Sequence, residues 1–364
     1  MCAFFLPESS MAGSSLPRLL AAALSVAVSF SLLGSAPARA ADREVVIAYQ
    51  DMMLPWRYAQ ATGEVERATG YKVTYRQLAS GADVVRAIAS GSVQIGEAGS
   101  SPIAAGVSQG VDLSLFWILD NINDAEALVA RNGSGVARVA DLKGKTLGVP
   151  YVSTSHFHAL VALQQAGLDP RDVKVVNLRP QELSAAWDRG DVDAAFIWDP
   201  VLAKVKKNGT VLITSGKIAA ATGKSTFDGF VADRKFARDH AEFLAKFTEV
   251  LAKADAAYRD NKAAWTVSSP QVAAVAKTSG ATAAEVPASL ALYAFPDAAE
   301  QASKRWLGGG AQSGAAQSLL ATAQFLKTQG TIQAVLPDYG ATIDSRFVQR
   351  VAGGSGKAVA TASR

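Results

Sequence analysis

The chain has 364 residues, enough for two domains, and its 36 Lys and Arg against 32 Asp and Glu leave a net charge of +4. So small a balance, without any basic run, gives no electrostatic footprint for nucleic acid. The single cysteine, Cys2, excludes an intrachain disulfide and a cysteine-rich metal site.

From Met11 the chain reads as a secretory leader: Arg18, the apolar run Leu19 to Leu33, then Ala36-Pro37-Ala38-Arg39-Ala40, whose Ala38-x-Ala40 suits signal peptidase. Residues 1–40 are therefore expected to be cleaved, with Ala41 as the mature start and Met1 or Met11 as the first codon. Cleavage removes Cys2, Glu8, Arg18 and Arg39 and leaves a charge of +3. No cysteine follows the leader to carry a lipid, and no later stretch reaches the ~18 apolar residues of a membrane span. A Gram-negative periplasm suits such a chain.

Glu44 to Tyr49 reads as a buried strand, and Pro55 opens a helix expected to run to about Ala68, closed by Gly70. Tyr71 to Gln77 alternates like a strand, Ala82 to Ala89 has helical spacing, and Val93 to Ile95 is a strand. Then comes Glu97-Ala98-Gly99-Ser100-Ser101-Pro102, a turn in which serine caps and proline opens a helix. Leu113 to Leu119 is a further strand. Leu128 to Ala130 leads into polar, Gly-rich Arg131 to Gly135, where the chain is expected to cross into a second lobe. There Thr146 to Val149, Val173 to Leu178 and Val192 to Trp198 read as strands. His156 to Ala166, Pro180 to Arg189 and a segment from Asp199-Pro200 to Asn208-Gly209 read as helices. Phe227 to Val231 looks like a returning strand. Beyond Asp233 the pattern is helical, clearest over Arg238 to Tyr258 and Ala311 to Gln329, and Gly353 to Arg364 is expected to be a flexible tail. The alternation predicts an α/β fold with largely parallel sheets.

In such sheets ligands bind beyond the carboxyl ends of the strands. Gln50-Asp51, Gly99-Ser100-Ser101, Ser153-Thr154-Ser155 and Trp198-Asp199 occupy those ends. Free N–H groups and the helix dipole make each hydroxyl-bearing helix start a neutral anion socket. Two of them, one per lobe, would form a clamp.

The segments SGSVQIGEAGSSP (Ser90 to Pro102), DLKGKTLGVPYVSTSH (Asp141 to His156), AAWDRGDVDAAFIWDP (Ala185 to Pro200) and TFDGF (Thr226 to Phe230) carry a family resemblance. AYQ, EALV, AQFLKTQG and SRFV follow the same order. Over nearly the whole mature chain, they resemble the periplasmic taurine-binding proteins of ABC importers, within the wider group for alkanesulfonates. The resemblance implies a two-lobed periplasmic binding protein of type II, each lobe a mainly parallel sheet flanked by helices, with the C-terminal helices on lobe 1. Lobe 1 would be residues 41–130 and 230–350, lobe 2 the inserted 131–229, and 351–364 the tail. It implies sulfonate contacts at Ser100, Ser101, Ser153 and Thr154, an ammonium partner at Asp228, and cleft positions for Gln50, Glu126 and Trp198. The partners would be an inner-membrane ABC permease and its ATPase, met by a monomer without cofactor. Glu97, Asp199 and Met52-Met53-Leu54-Pro55-Trp56 depart from the family pattern, and Glu97 and Asp199 favour, as the alternative to taurine, another alkanesulfonate or small zwitterion.

A sulfonate is a monoanion whose three oxygens only accept hydrogen bonds, and neutral donors meet it without burying an arginine. Taurine's ammonium needs a carboxylate once water is excluded. Asp228 answers that need, and Glu126 can support it. Glu97 reads as a rim or hinge residue and Asp199 as a helix cap. Trp198 suits core and cleft equally. Catalysis is poorly served. His156 and His158 are two apart and share no helix face, His240 sits in a surface-like helix, and neither a metal-ligand spacing nor a G-x-S-x-G elbow is present. A pyrimidine-precursor synthase, an enzyme class related to this fold, would need cleft histidines or a lysine and a chain without a leader.

Overall fold

The computed structural model describes residues 43–362, with side chains described to residue 354; the leader expected over 1–40 lies outside the described residues. The first lobe opens with β1 (Glu44–Tyr49), short helices α1 (Arg57–Thr62) and α2 (Glu64–Thr69), β2 (Lys72–Gln77) and α3 (Gly81–Ala89). The single helix expected over Pro55 to Ala68 is broken at Gly63, whose φ of 69° takes the left-handed conformation that glycine adopts without a Cβ penalty. Next come β3 (Ile95–Gly99), α4 (Ser100–Ser108) and β4 (Leu113–Asn121). The strand expected over Val93 to Ile95 therefore lies further on: Gly96 to Gly99 is fully buried strand, not turn. Helix α4 starts two residues ahead of Pro102, capped by Gly99 rather than by a serine.

The second lobe begins earlier than expected. Strand β5 (Glu126–Arg131) pairs with the second sheet over its whole length, so the crossing precedes Glu126 instead of following Ala130. Strand β6 (Thr146–Val149), α5 (Thr154–Gln165), β7 (Lys174–Asn177), α6 (Pro180–Arg189), β8 (Ala194–Trp198) and α7 (Val201–Val205) follow the sequence reading closely. Strand β9 (Gly209–Thr214) and α8 (Ser215–Thr222) had no counterpart in that reading. The chain then returns through β10 (Phe227–Asp233) to the first sheet.

Each sheet has five strands, in the orders β2-β1-β3-β10-β4 and β7-β6-β8-β5-β9. The two orders are one plan used twice. Three parallel strands lead, and the strand arriving from the other lobe lies fourth and antiparallel. The C-terminal region is helical, as α9 (Arg234–Asp239), α10 (Ala241–Arg259), α11 (Pro270–Ser279), α12 (Val286–Leu290), α13 (Ala298–Ala302), α14 (Gly314–Thr328) and α15 (Arg346–Ala362). These helices pack on the first lobe, α10 on α2, α11 on α1, α14 on α4 and α15 on β4. The tail expected to be flexible from residue 351 is, to Ala362, the greater part of α15.

Trp56, Phe116, Phe230, Phe243 and Phe247 form the aromatic centre of the first lobe, with Trp56 edge-on to Phe230 at 5.2 Å. Leu128, Val149, Phe157 and Phe196 belong to the core of the second.

Candidate functional site: the cleft between the helix starts

Helix α4 points its N-terminus at the junction of the lobes. Gly99, at the end of β3, offers no side chain there, and a Cβ on it would lie 2.8 Å from Thr154 Cγ2 and 3.2 Å from Asp228 Oδ1. That approach is what lets the α4 and α5 starts face each other. Ser100 and Ser101 occupy the first turn of α4, both fully buried. Ser100 Oγ accepts from the Phe227 amide at 3.5 Å, while Ser101 Oγ has no partner within the described protein.

Across the junction, Ser153 caps α5: its Oγ accepts from the His156 amide at 3.0 Å and donates to the Pro150 carbonyl at 2.6 Å. Thr154 Oγ1 donates to Glu126 Oε1 at 2.5 Å. Glu126 opens β5 opposite Trp198 at the end of β8, and Trp198 Nε1 reaches across the lobes to Asp51 Oδ1 at 3.0 Å. Arg179, just ahead of α6, pairs with Asp83 on α3 at 3.3 Å, a second bridge between the lobes.

A narrow cavity of about 20 Å³ runs between these groups. That exceeds by little the ~10–15 Å³ that one water needs, so the lobes are drawn together. Gln50, Glu126, Ser153, Thr154, Trp198 and Asp228 line it, as do Gly99 and Pro102 on either side of the two α4 serines. Ser100 and Ser101 themselves are not in its wall.

The electrostatics are one-sided. Asp228 lies in register with Gly99 on one side and Asp120 on the other. Burial, with Glu126 and Glu97 nearby, holds its carboxyl well above the usual range. Burial and Asp228 do the same to Asp120. Both Asp120 oxygens lack a donor in the described protein. As neighbouring anions the two carboxyls would repel each other, which favours a proton on one of them. Burial pushes Glu126 up to about 7 against the hydroxyls of Thr154, Ser155 and Ser215. Among the described residues, no lysine or arginine forms an ion pair with Asp120, Glu126 or Asp228.

Over residues 67–264 the chain matches the family model described as NMT1/THI5 like. It is 36% identical over 305 residues to the taurine-binding periplasmic protein of Escherichia coli K12, covering 84% of this chain and 92% of that protein. The chain belongs to this family of periplasmic binding proteins. A putative aliphatic sulfonates-binding protein of the same organism is 28% identical, over 65% of this chain and 68% of its own. In fold, the chain resembles the crystal structure of the periplasmic aliphatic sulphonate-binding protein SsuA from E. coli, with a TM-score of 0.67 and 24% identity. That match covers 83% of this chain and 92% of the other.

Two family departures now have physical explanations. Glu97 is not at the rim. It is fully buried in β3, its Oε2 accepting from the Gln50 amide at 2.8 Å and its Oε1 from Trp56 Nε1 at 2.6 Å, with Arg57 paired at 3.5 Å. Arg57, equally buried, also donates to the carbonyls of Gln50 and Met52 and lies 4.2 Å above the Tyr49 ring. This knot, built by Met52-to-Trp56 and the residues beside it, fixes the loop that carries Gln50. Asp199 bonds the Ala203 amide at 2.8 Å, as a helix cap does.

Sequence reasoning missed Asp120, Tyr293, Met52, Ile122 and Gly81; the last four also line the cavity. For Asp120 a signal existed: a carboxylate closing the apolar run that begins at Leu113 is seldom buried without purpose. Tyr293 lies in the helical C-terminal region, where no local pattern marks a cleft residue.

Proposed function

We propose that this protein captures taurine between its lobes and delivers it to an inner-membrane ABC permease and ATPase, acting in the periplasm after cleavage of residues 1–40. The sulfonate would sit between the starts of α4 and α5, against Ser100, Ser101, Ser153 and Thr154 and their backbone amides. The ammonium would sit at Asp228, with Glu126 beside it and Gln50 and Trp198 completing the walls. The observation that carries this reading is the charge asymmetry of one cavity. Neutral donors of two helix starts lie close to carboxyls that lack a buried cation, and burying anions without a counter-charge is costly. A ligand with an anion of weak basicity and a short-tethered ammonium satisfies both ends.

The protein acts as a monomeric receptor, not an enzyme. His156 and His158 are buried neutral by desolvation, each held down to about 4, and neither lines the cavity. The junction of the lobes bends at residues 122–125 and 223–226, which connect the sheets, and closure presents the surface that the permease reads.

Calorimetric titration with taurine, ethanesulfonate and β-alanine tests the reading. Taurine should bind far more tightly than either fragment-like analogue. Absence of heat and of thermal stabilisation with taurine would sink it, and ethanesulfonate binding as well as taurine would remove the ammonium site. Strong binding of a larger sulfonate alone would move the assignment to that class.

A further inference from the structure

Glu126 is joined to two buried groups that do not line the cavity. Ser215, the first residue of α8, holds its Oγ 3.1 Å from Glu126 Oε2 and 2.7 Å from His158 Nδ1, and His158 Nε2 lies 2.8 Å from the Lys224 carbonyl. All three side chains are almost wholly excluded from solvent. Counting hydrogens along this chain settles its polarity. The Lys224 carbonyl can only accept, so Nε2 carries a hydrogen, and in a neutral imidazole Nδ1 is then a bare acceptor. Ser215 has one hydrogen, and Nδ1 takes it. Toward Glu126 the Ser215 oxygen is left only as an acceptor, so the carboxyl must supply the hydrogen of that bond. A neutral His158 therefore demands a protonated Glu126. Burial favours both neutral forms independently, lifting Glu126 to about 7 and lowering His158 to about 4.

We propose that Glu126, Ser215 and His158 are a proton relay through which a bound ammonium turns Glu126 into an anion while the proton stays inside the protein. The O–H bond at Glu126 Oε2 breaks as one forms at Ser215 Oγ; the original Ser215 O–H breaks as an N–H forms at His158 Nδ1. The products are a carboxylate and an imidazolium, and the summed charge of the three side chains is unchanged. Around Glu126 stand Asp228 on β10, Asp120 on β4 and Tyr293, whose ionisation it opposes in turn. Burial holds Glu126 neutral until a cation lies beside it. Around His158 stand the Ser215 hydroxyl, the Lys224 carbonyl and the Phe157 ring, 5.3 Å away. No charged side chain among the described residues bonds to it. Ser215 and His158 are thus positioning residues that let Glu126 become an anion beside an ammonium without passing its proton to solvent. The identity of the cation rests on the taurine reading above, while the wiring of the chain does not.

Imidazole ¹⁵N NMR of the mature protein at pH 6 tests the relay. The free protein should show His158 protonated at Nε2 alone. Taurine should add a proton at Nδ1, ethanesulfonate should not, and calorimetry in buffers of different ionisation enthalpy should find no net proton exchanged on taurine binding. Ser215→Ala should bind taurine about tenfold more weakly and leave Nδ1 bare, while Ser215→Thr should restore the response. Taurine heat with a bare Nδ1 in the unmodified protein overturns the relay and leaves the ligand assignment standing. So does a free protein whose Nδ1 already carries a proton. If taurine gives no heat, the assignment fails, and the free protein decides the relay alone: as Glu126 loses its proton to solvent with rising pH, Ser215 must turn its one hydrogen from Nδ1 to the new carboxylate, so the Nδ1 resonance must move as a hydrogen-bonded acceptor becomes a free one, and an Nδ1 resonance that does not respond overturns the proposal.

Discussion

The starts of α4 and α5 look alike in sequence, two runs of small hydroxyl residues after a buried strand, but the structure uses them differently. At α5 the two leading hydroxyls are committed within the protein, Ser153 to its cap and the Pro150 carbonyl and Thr154 to Glu126, and only Ser155 Oγ behind them has no partner among the described residues. At α4 the cap is Gly99 and the Ser101 hydroxyl is uncommitted. An exposed start would lose little by that. A buried hydroxyl with no partner is costly, and a site that binds an acceptor-rich ligand is where such a cost is tolerated. The leading residues of α5 are organised by the protein itself, while the first turn of α4 has no side-chain cap and keeps only the long Ser100 bond to the Phe227 amide.

The comparison can be broken in four places. Asp228 stands in register with Gly99 and serves the open side. Asp228→Ala should lower taurine affinity at least about 100-fold, seen by calorimetry, because an ammonium would be buried unpaired. An unchanged affinity would place the cation elsewhere.

Glu126 serves the committed side, and its folded-state value of about 7 lies above its unfolded one. A carboxyl raised in this way binds its proton more tightly in the native state. Its contribution is thus complete at pH values below the unfolded pKa and is lost as pH rises through about 7. The stability advantage of the unmodified protein over Glu126→Gln, from urea unfolding without ligand, should shrink by up to about 3 kcal/mol between pH 5 and pH 8. Taking the difference cancels the opposite slope of the buried His156 and His158, whose lowered values favour the native state at higher pH. A constant difference across that range would contradict the assignment.

Gly99→Ala tests the approach of the two starts. Its new Cβ would press on Thr154, so taurine binding should weaken about tenfold while the free protein melts within about 2 °C of the original. Lost stability without lost affinity would show the contact to be packing alone. The smallest expected effects separate the serines. Ser153→Ala should cost about 1 kcal/mol of stability as a lost cap. Ser101→Ala should cost no stability and several-fold in taurine affinity. Equal behaviour of the two would erase the distinction between the starts.

Much of this was legible in the sequence because alternation of apolar strands and capped helices repeats in both lobes. The eight residues marked as candidates all fall at the junction of the lobes, and six line the cavity. What escaped has a physical pattern. The exact start of α4 was hidden because Ser-Ser-Pro is an equally good cap, and only the burial of Gly96 to Gly99 in β3 shows that the strand reaches it. The crossing before Glu126 was hidden because Arg131 to Gly135 has the composition of a linker while serving as a turn inside the second lobe. The pairing of Glu97 with Arg57 joins residues 40 positions apart through a loop with no regular period. Asp120 meets Asp228 only by β4–β10 register, which no local pattern encodes.

Each lobe receives one strand from the other, and that guest strand lies fourth in its host sheet. Glu126 is the first residue of one guest, Asp228 the second residue of the other, and Asp120 lies near the end of the strand that precedes the first crossing. Among the described residues these groups thus stand beside the two connections, 122–125 and 223–226, that carry the chain between the sheets. On the proposed closure about those connections, a change in the angle between the lobes also changes the spacing of these carboxyls. A variant selected for a longer zwitterion should therefore carry its changes in residues 120–126 and 223–228 and come to rest at a different angle between the lobes, a coupling of selectivity to shape that scattering could follow.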